Sequence, residues 1–219
     1  MDKKTIYVPI EIKVRELTSF VLFSLFAAKK NYRVYLGSKP AIKELIEKKK
    51  NKSGIFIFKG GIETDEILKI KNKVDKFIIL DQEISPSCLD YRKAIRRRIW
   101  PGSEKYIDRY YVVGQRAYEA GAEVLQDLKD NIVNTGWPSI DLSRDNLRFF
   151  YDEKVNEIKN KYGDFILFSS AFSNCNSKKK YNDLYEIKKK HKWQSVRDAL
   201  EEDMIWAEYT LLEFNKNIQ

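Results

Sequence analysis

Histidine and cysteine are almost absent from these 219 residues: one histidine, His191, and two cysteines, Cys88 and Cys175, with no CxxC spacing. No His/Cys cluster can build a zinc or iron site from that supply, so no metal is expected. The cysteines are expected as reduced thiols rather than as a disulfide framework. Long apolar runs are missing as well. The longest, FVLFSLFAA from Phe20, is about half of what a transmembrane helix needs, and no charged-then-apolar leader precedes the first strand. The expectation is a cytoplasmic chain. With 9 glycines, 5 prolines and 43% hydrophobic residues, nothing marks it as disordered or fibrous.

Several fingerprints are absent too. No GxGxxG follows the first strand, no GxxxxGK[ST] occurs, and there is no GxSxG elbow. A nicotinamide site, a P-loop and a hydrolase nucleophile are thereby disfavoured. The net charge of +9 is spread over many lysines, with AIRRRIW (residues 94–100) and residues 177–193 the densest basic runs. Basic surface with interleaved aromatics suits a solvated face, anionic lipid or a phosphorylated ligand. Without a helix-turn-helix, RNP or zinc-finger pattern, no nucleic-acid partner is expected.

Short apolar runs alternate with helical patterns, the signature of βα units around a parallel sheet. TIYVPI, YRVYLGS, GIFIFKGG, KFIILD and RYYVVG read as five strands, with helices after the first, second, third and fifth; the helix after the first, RELTSFVLFSLFAAKK, is apolar nearly all round and is expected to be buried. The predicted class is α/β, with a Rossmann-like parallel sheet flanked by helices over residues 1–134. Residues 135–219 read as a junction loop and a partial second α/β region. There, residues 144–163 suggest an amphipathic helix, 164–172 a buried strand, and 193–216 a closing helix. The closing helix carries an apolar stripe from Trp193 to Phe214, expected to fold back on the core or to mediate dimerisation. Pro9 lies inside the first predicted strand and cannot donate to a ladder, which predicts a short, bulged or edge strand there.

In open α/β sheets ligands bind beyond the carboxyl ends of the strands. The residues predicted at that rim are Glu11, Lys13, Gly37, Ser38, Lys59, Gly60, Gly61, Asp81, Glu83, Gly114 and Gln115. Glycines allow close backbone approach, and the charged and hydroxyl groups can grip hydroxyls or phosphates. Asp81 and Glu83 could also form an acidic metal-binding pair. In VPIEIKVREL (residues 8–17) an extended backbone would turn Glu11, Lys13 and Arg15 towards a cleft, and Ile12 and Val14 towards the core. The competing reading is a Glu11–Arg15 or Lys13–Glu16 pair capping the helix that follows.

The segments VPIEIKVREL, YRVYLGSK, GIFIFKG, IILDQE and NTGWPSIDL (residues 134–142), followed by FFYDEKVNEIKNKYGDFILFSSAFS, resemble the bacterial surface carbohydrate biosynthesis proteins. These are glycosyltransferase-like proteins of the GT-B type, with two Rossmann domains. The strongest motif is TGxPxxD: Thr135, Gly136, Pro138 and Asp141. Relatives usually carry Asn where this chain has Trp137 and Arg where it has Ser139. The resemblance implies transfer of a sugar from a nucleotide-sugar donor to a glycan or lipid-linked glycan acceptor, without a metal or organic cofactor. The N-terminal domain would hold the acceptor. Glu11 would be the candidate general base, and Lys13 or Arg15 would offset phosphate or carboxylate charge. Thr135 and Gly136 would contribute binding groups from the junction. About 85 residues after the junction are too few for a second Rossmann domain, so the donor-binding half is expected from a separate domain or a homodimer. A peripheral contact with an anionic membrane at its inner face is compatible with the charge. The alternative is a non-catalytic glycan- or partner-binding module with the same fold.

Overall fold

The computed structural model describes residues 4–84 and 88–167, together with Ile205 and Leu212. The chain forms two compact units, Met1–Val155 and Asn156–Gln219. In the first, β1 (Thr5–Ile10), β2 (Arg33–Ser38), β3 (Ile55–Phe58), β4 (Lys76–Leu80), β5 (Arg109–Val113) and β6 (Ile132–Thr135) make an all-parallel, Rossmann-like sheet. Its order is β2-β1-β3-β4-β5-β6. The winding reverses between β1 and β3, which places a crevice between the loops that leave those two strands.

The strands are apolar on both sides, as sheets covered on both faces require. On one face Tyr7, Phe56, Phe58, Phe77, Ile79, Tyr110 and Val112 form the larger core. Against them pack α2 (Lys39–Glu47), α3 (Thr64–Lys71), α4 (Tyr91–Arg98) and α5 (Gln115–Val124), through residues such as Ile42, Ile46, Ile67, Ile95 and Ala117. On the other face Ile6, Val8, Ile10 and Ile57 meet Phe20 and Ala27 of α1 (Lys13–Lys29). The four-residue α6 (Pro138–Asp141) packs beside α1.

Local chemistry sets the helix ends. Ser38 Oγ accepts the Ala41 N–H at 3.4 Å to open α2, with Pro40 in its first turn. Asp90 accepts the Lys93 N–H at 3.0 Å to open α4, whose last turn carries Arg96, Arg97 and Arg98 where the helix dipole favours cations. Pro9 is tolerated because the β1–β3 ladder ends at Tyr7↔Phe56, leaving only the β2 side paired, at Pro9↔Gly37.

Three expectations change. The nearly all-apolar α1 is buried on one side only: Val14, Val21, Leu25 and Phe26 are exposed. A sixth strand extends the sheet through Thr135, and the first unit runs on to Val155, so the junction segment belongs with the sheet unit. α7 (Asp152–Tyr162) follows, and residues 164–167, the start of the expected strand, do not form one. The rest of that strand, the basic run 177–193, Cys175, His191 and, apart from the helical Ile205 and Leu212, the closing helix lie outside the described residues. Among the described residues no helix is long and apolar enough to cross a membrane.

Candidate functional site

Because all strands run in parallel, the residues just past their carboxyl ends share one edge: Glu11 after β1, Lys59 after β3, and Asp81 and Glu83 after β4. The side chains meet in one network centred on Lys59. Its ammonium lies 2.9 Å from Glu11, 3.1 Å from Glu16 and 2.9 Å from Glu83. Glu11 also pairs with Lys39 at 2.7 Å, and Glu83 with Arg15 at 2.8 Å and Arg98 at 2.7 Å. Arg98, arriving from the end of α4, further donates to Asp81 at 3.2 Å and to the backbone carbonyl of Lys59. The crevice at the winding reversal is therefore occupied by the protein's own charges.

The opening stretch is not extended beyond Ile12, because α1 starts at Lys13. Glu16, in the first turn, reaches back to accept the Glu11 N–H at 2.9 Å, much as in a capping box. Neither pair weighed for the cap, Glu11–Arg15 or Lys13–Glu16, forms: Arg15 binds Glu16 and Glu83, while Lys13 is exposed and makes no ion pair among the described residues. The alternation that was to aim Glu11, Lys13 and Arg15 together is lost once the backbone coils. Glu11 and Arg15 still join the network through partners on other strands.

Burial raises the Glu11 carboxyl, but the hydrogen bonds and charges of Lys39 and Lys59 outweigh it, leaving its pKa below the usual carboxylate value. Glu83 behaves likewise, burial being outweighed by the charge of Arg98 and the bond from Lys59. Lys59 is held above the usual lysine value: burial pulls it down, and bonds to Glu11, Glu83 and Glu16 more than restore it. Asp81 differs. Buried beneath the rim, its pKa is raised by desolvation despite Arg98, the Glu83 N–H at 2.9 Å and the Tyr110 hydroxyl at 3.1 Å. Asp81 and Glu83 thus face a guanidinium, and among the described residues no group of three or more His, Cys, Asp or Glu is placed to hold a metal ion.

Glycines shape the loop beneath Arg98. Gly60 and Gly61 have φ of +91° and +70°, and a Cβ on Gly61 would lie 3.0 Å from the Arg98 guanidinium. The remaining predicted residues stand apart from the network. Ser38 is spent on the α2 cap, the Gly114 N–H donates to Asn134, and the Gln115 side chain bonds Glu119. Thr135 and Gly136 line a different feature, an apolar cavity of about 460 Å³ on the α1 face of the sheet. Ile6, Ile78, Leu80 and Tyr111 form part of its wall.

Comparison with protein-family models, curated proteins and solved structures yields no match. The likeness to surface carbohydrate biosynthesis proteins therefore rests on the sequence motifs themselves. Within those motifs the substituted Trp137 has a defined place: its indole N–H donates to the backbone carbonyl of Asp81 at 2.8 Å, fastening the junction segment to the end of β4.

Sequence reasoning missed Lys39, Arg98 and Tyr110, and weighed Glu16 only as a capping partner of Lys13. Arg98 had a signal, since it closes the RRR run immediately before the buried Ile99, at the end of a helix, and it reaches Glu83 at the rim. Tyr110 had none, because a tyrosine in an apolar strand reads simply as core.

Proposed function

We propose that Met1–Val155 is the acceptor-side domain of a GT-B-like surface carbohydrate biosynthesis protein. It would work at the cytoplasmic side of the membrane on a glycan or lipid-linked glycan acceptor. The nucleotide-sugar donor, on this reading, is a substrate held by a second domain, and no metal or organic cofactor takes part. One observation carries the reading. Glu11, Lys59, Asp81 and Glu83, all within segments that resemble the family, converge on the carboxyl edge at the winding reversal, and the junction motif is tied to that edge through Trp137. A peripheral membrane contact fits the same picture, since α1 turns Val14, Val21 and Leu25 outward between Lys13 and Lys29.

A non-catalytic glycan-binding module is favoured by a different observation. A general base works best with a pKa near the operating pH. Glu11 is instead held low by two lysines, which makes it a poor proton acceptor and a good hydrogen-bond acceptor. Titration calorimetry with nucleotide sugars and lipid-linked glycans, run beside a transfer assay, separates the two. Acceptor binding with turnover once a donor domain is supplied supports the transferase, acceptor binding alone supports the module, and binding of neither rejects both.

A further inference from the structure

Hydrogen-bonding capacity at the rim can be counted. An ammonium has three donors and an ionised carboxylate about four lone-pair sites. Lys59 faces three carboxylates, Glu11, Glu16 and Glu83, at 2.9–3.1 Å. Its donors are spent. Glu11 accepts from Lys39 through one oxygen and from Lys59 through the other, so about half of its acceptor capacity is open. Arg15, its side chain 50% exposed, bonds Glu16 and Glu83 through Nη2, and among the described residues its Nε and Nη1 carry no hydrogen bond. The network is also balanced: Glu11, Glu16, Glu66, Asp81 and Glu83 stand against Arg15, Lys39, Lys43, Lys59 and Arg98. Within the network itself no positive charge is left in excess to draw a phosphate towards Lys59.

We infer that the rim recognises an uncharged, hydroxyl-bearing part of its ligand, with Glu11 accepting from a sugar hydroxyl and Arg15 donating to a neighbouring oxygen, and that Lys59 is an internal counter-ion rather than a phosphate anchor. This inference rests on the carbohydrate reading above and narrows it: the pyrophosphate of a lipid-linked acceptor lies away from Lys59. Lys59 still shapes the site, because it holds Glu11 ionised and oriented. A phosphate pushed into the same place would meet Glu11 and Glu83 and would have to break an ion pair to find a donor on Lys59.

The test uses the whole chain and titration calorimetry with a panel of uncharged oligosaccharides built from glucose, galactose, mannose and rhamnose. Inorganic pyrophosphate serves as competitor. The expected result is binding of one or more of these sugars with little dependence on salt and no displacement by pyrophosphate. Glu11→Gln should then weaken binding by about tenfold or more, the scale of a hydrogen bond to a charged group, and Glu11→Asp should recover part of it. Melting of each variant checks that the fold survives, and competition on the unaltered protein needs no variant at all. Sugar binding that pyrophosphate displaces overturns the inference and leaves the carbohydrate reading standing. Pyrophosphate binding without sugar binding, or binding of neither probe, overturns both.

Discussion

Replacing Lys59 by methionine keeps most of the side chain's length and removes its charge from the middle of three carboxylates. Glu11 retains Lys39, and Glu83 retains Arg15 and Arg98. Glu16, only 8% exposed, is left with Arg15 at 3.3 Å and the Glu11 N–H. Deleting one partner of a buried ion pair typically costs 3–5 kcal/mol, and the partial exposure of Glu11 and Glu83 puts this case at the lower end, about 3 kcal/mol. For a unit of this size that corresponds to a drop in Tm of roughly 6–12 °C. Urea and thermal unfolding of Lys59→Met near neutral pH would measure it. The deficit should shrink in acid, where the carboxylates protonate and no longer need the ammonium. Adding Glu16→Gln to Lys59→Met should restore part of the loss by removing the least exposed orphaned carboxylate. A Tm drop below about 2 °C, or a deficit that does not change with pH, would refute the claim that Lys59 is the internal counter-ion of this network.

The network also sets a pH profile. Glu11, Glu16 and Glu83 have folded pKa values below the usual 4.5, so their contribution is fully present above that value and is lost as pH falls through the folded values. Lys59, raised above 10.5, contributes fully below that value and loses its contribution as pH rises through the folded one. Asp81, with a raised pKa, acts in the opposite sense to the glutamates, its contribution growing as pH falls. Urea midpoints across pH should therefore show an acid loss less steep than the glutamates alone would produce, and a profile flat into strong acid would contradict the pairing. Gly61→Ala should cost about 1–2 kcal/mol from its left-handed backbone alone. It should cost more than Gly102→Ala, which has a similar φ of +84° but open space around the added Cβ. Equal melting temperatures for the two variants would show that Arg98 does not rest on the loop. Trp137→Phe keeps an aromatic ring but removes the donor to the Asp81 carbonyl, for a loss of about 1 kcal/mol by chemical denaturation. No change would mean that the junction segment is held by packing alone.

Much of the fold could be read from hydrophobic pattern and turn chemistry. TIYVPI, IFIF and KFIIL carry dense β-branched and aromatic residues bounded by polar or glycine turns, and the structure has strands there. β6 escaped notice because it is four residues long and ends in the exposed Asn134 and Thr135. α4 escaped because only Tyr91 and Ile95 mark its inner face among charged residues, so the segment read as a basic run. The one-sided burial of α1 was illegible for another reason. An apolar residue records that water is disfavoured at its position without recording whether a neighbour covers it, and Val14 is almost fully exposed.

The sequence alone determined the class of the protein and the edge at which its charges gather, because strand periodicity and the right-handed crossovers of a parallel sheet are local rules that put every strand's carboxyl end on the same side. Tertiary structure alone decided which charge meets which. Lys59 finds Glu16 across 43 residues and Arg15 finds Glu83 across 68. Coulomb attraction carries no sequence separation; it depends on the distance and the dielectric around each pair, and both are set only when the loops after β1, β3 and β4 and the end of α4 come together. The same side chains that read as a row of ligand-binding groups are, once folded, largely one another's partners.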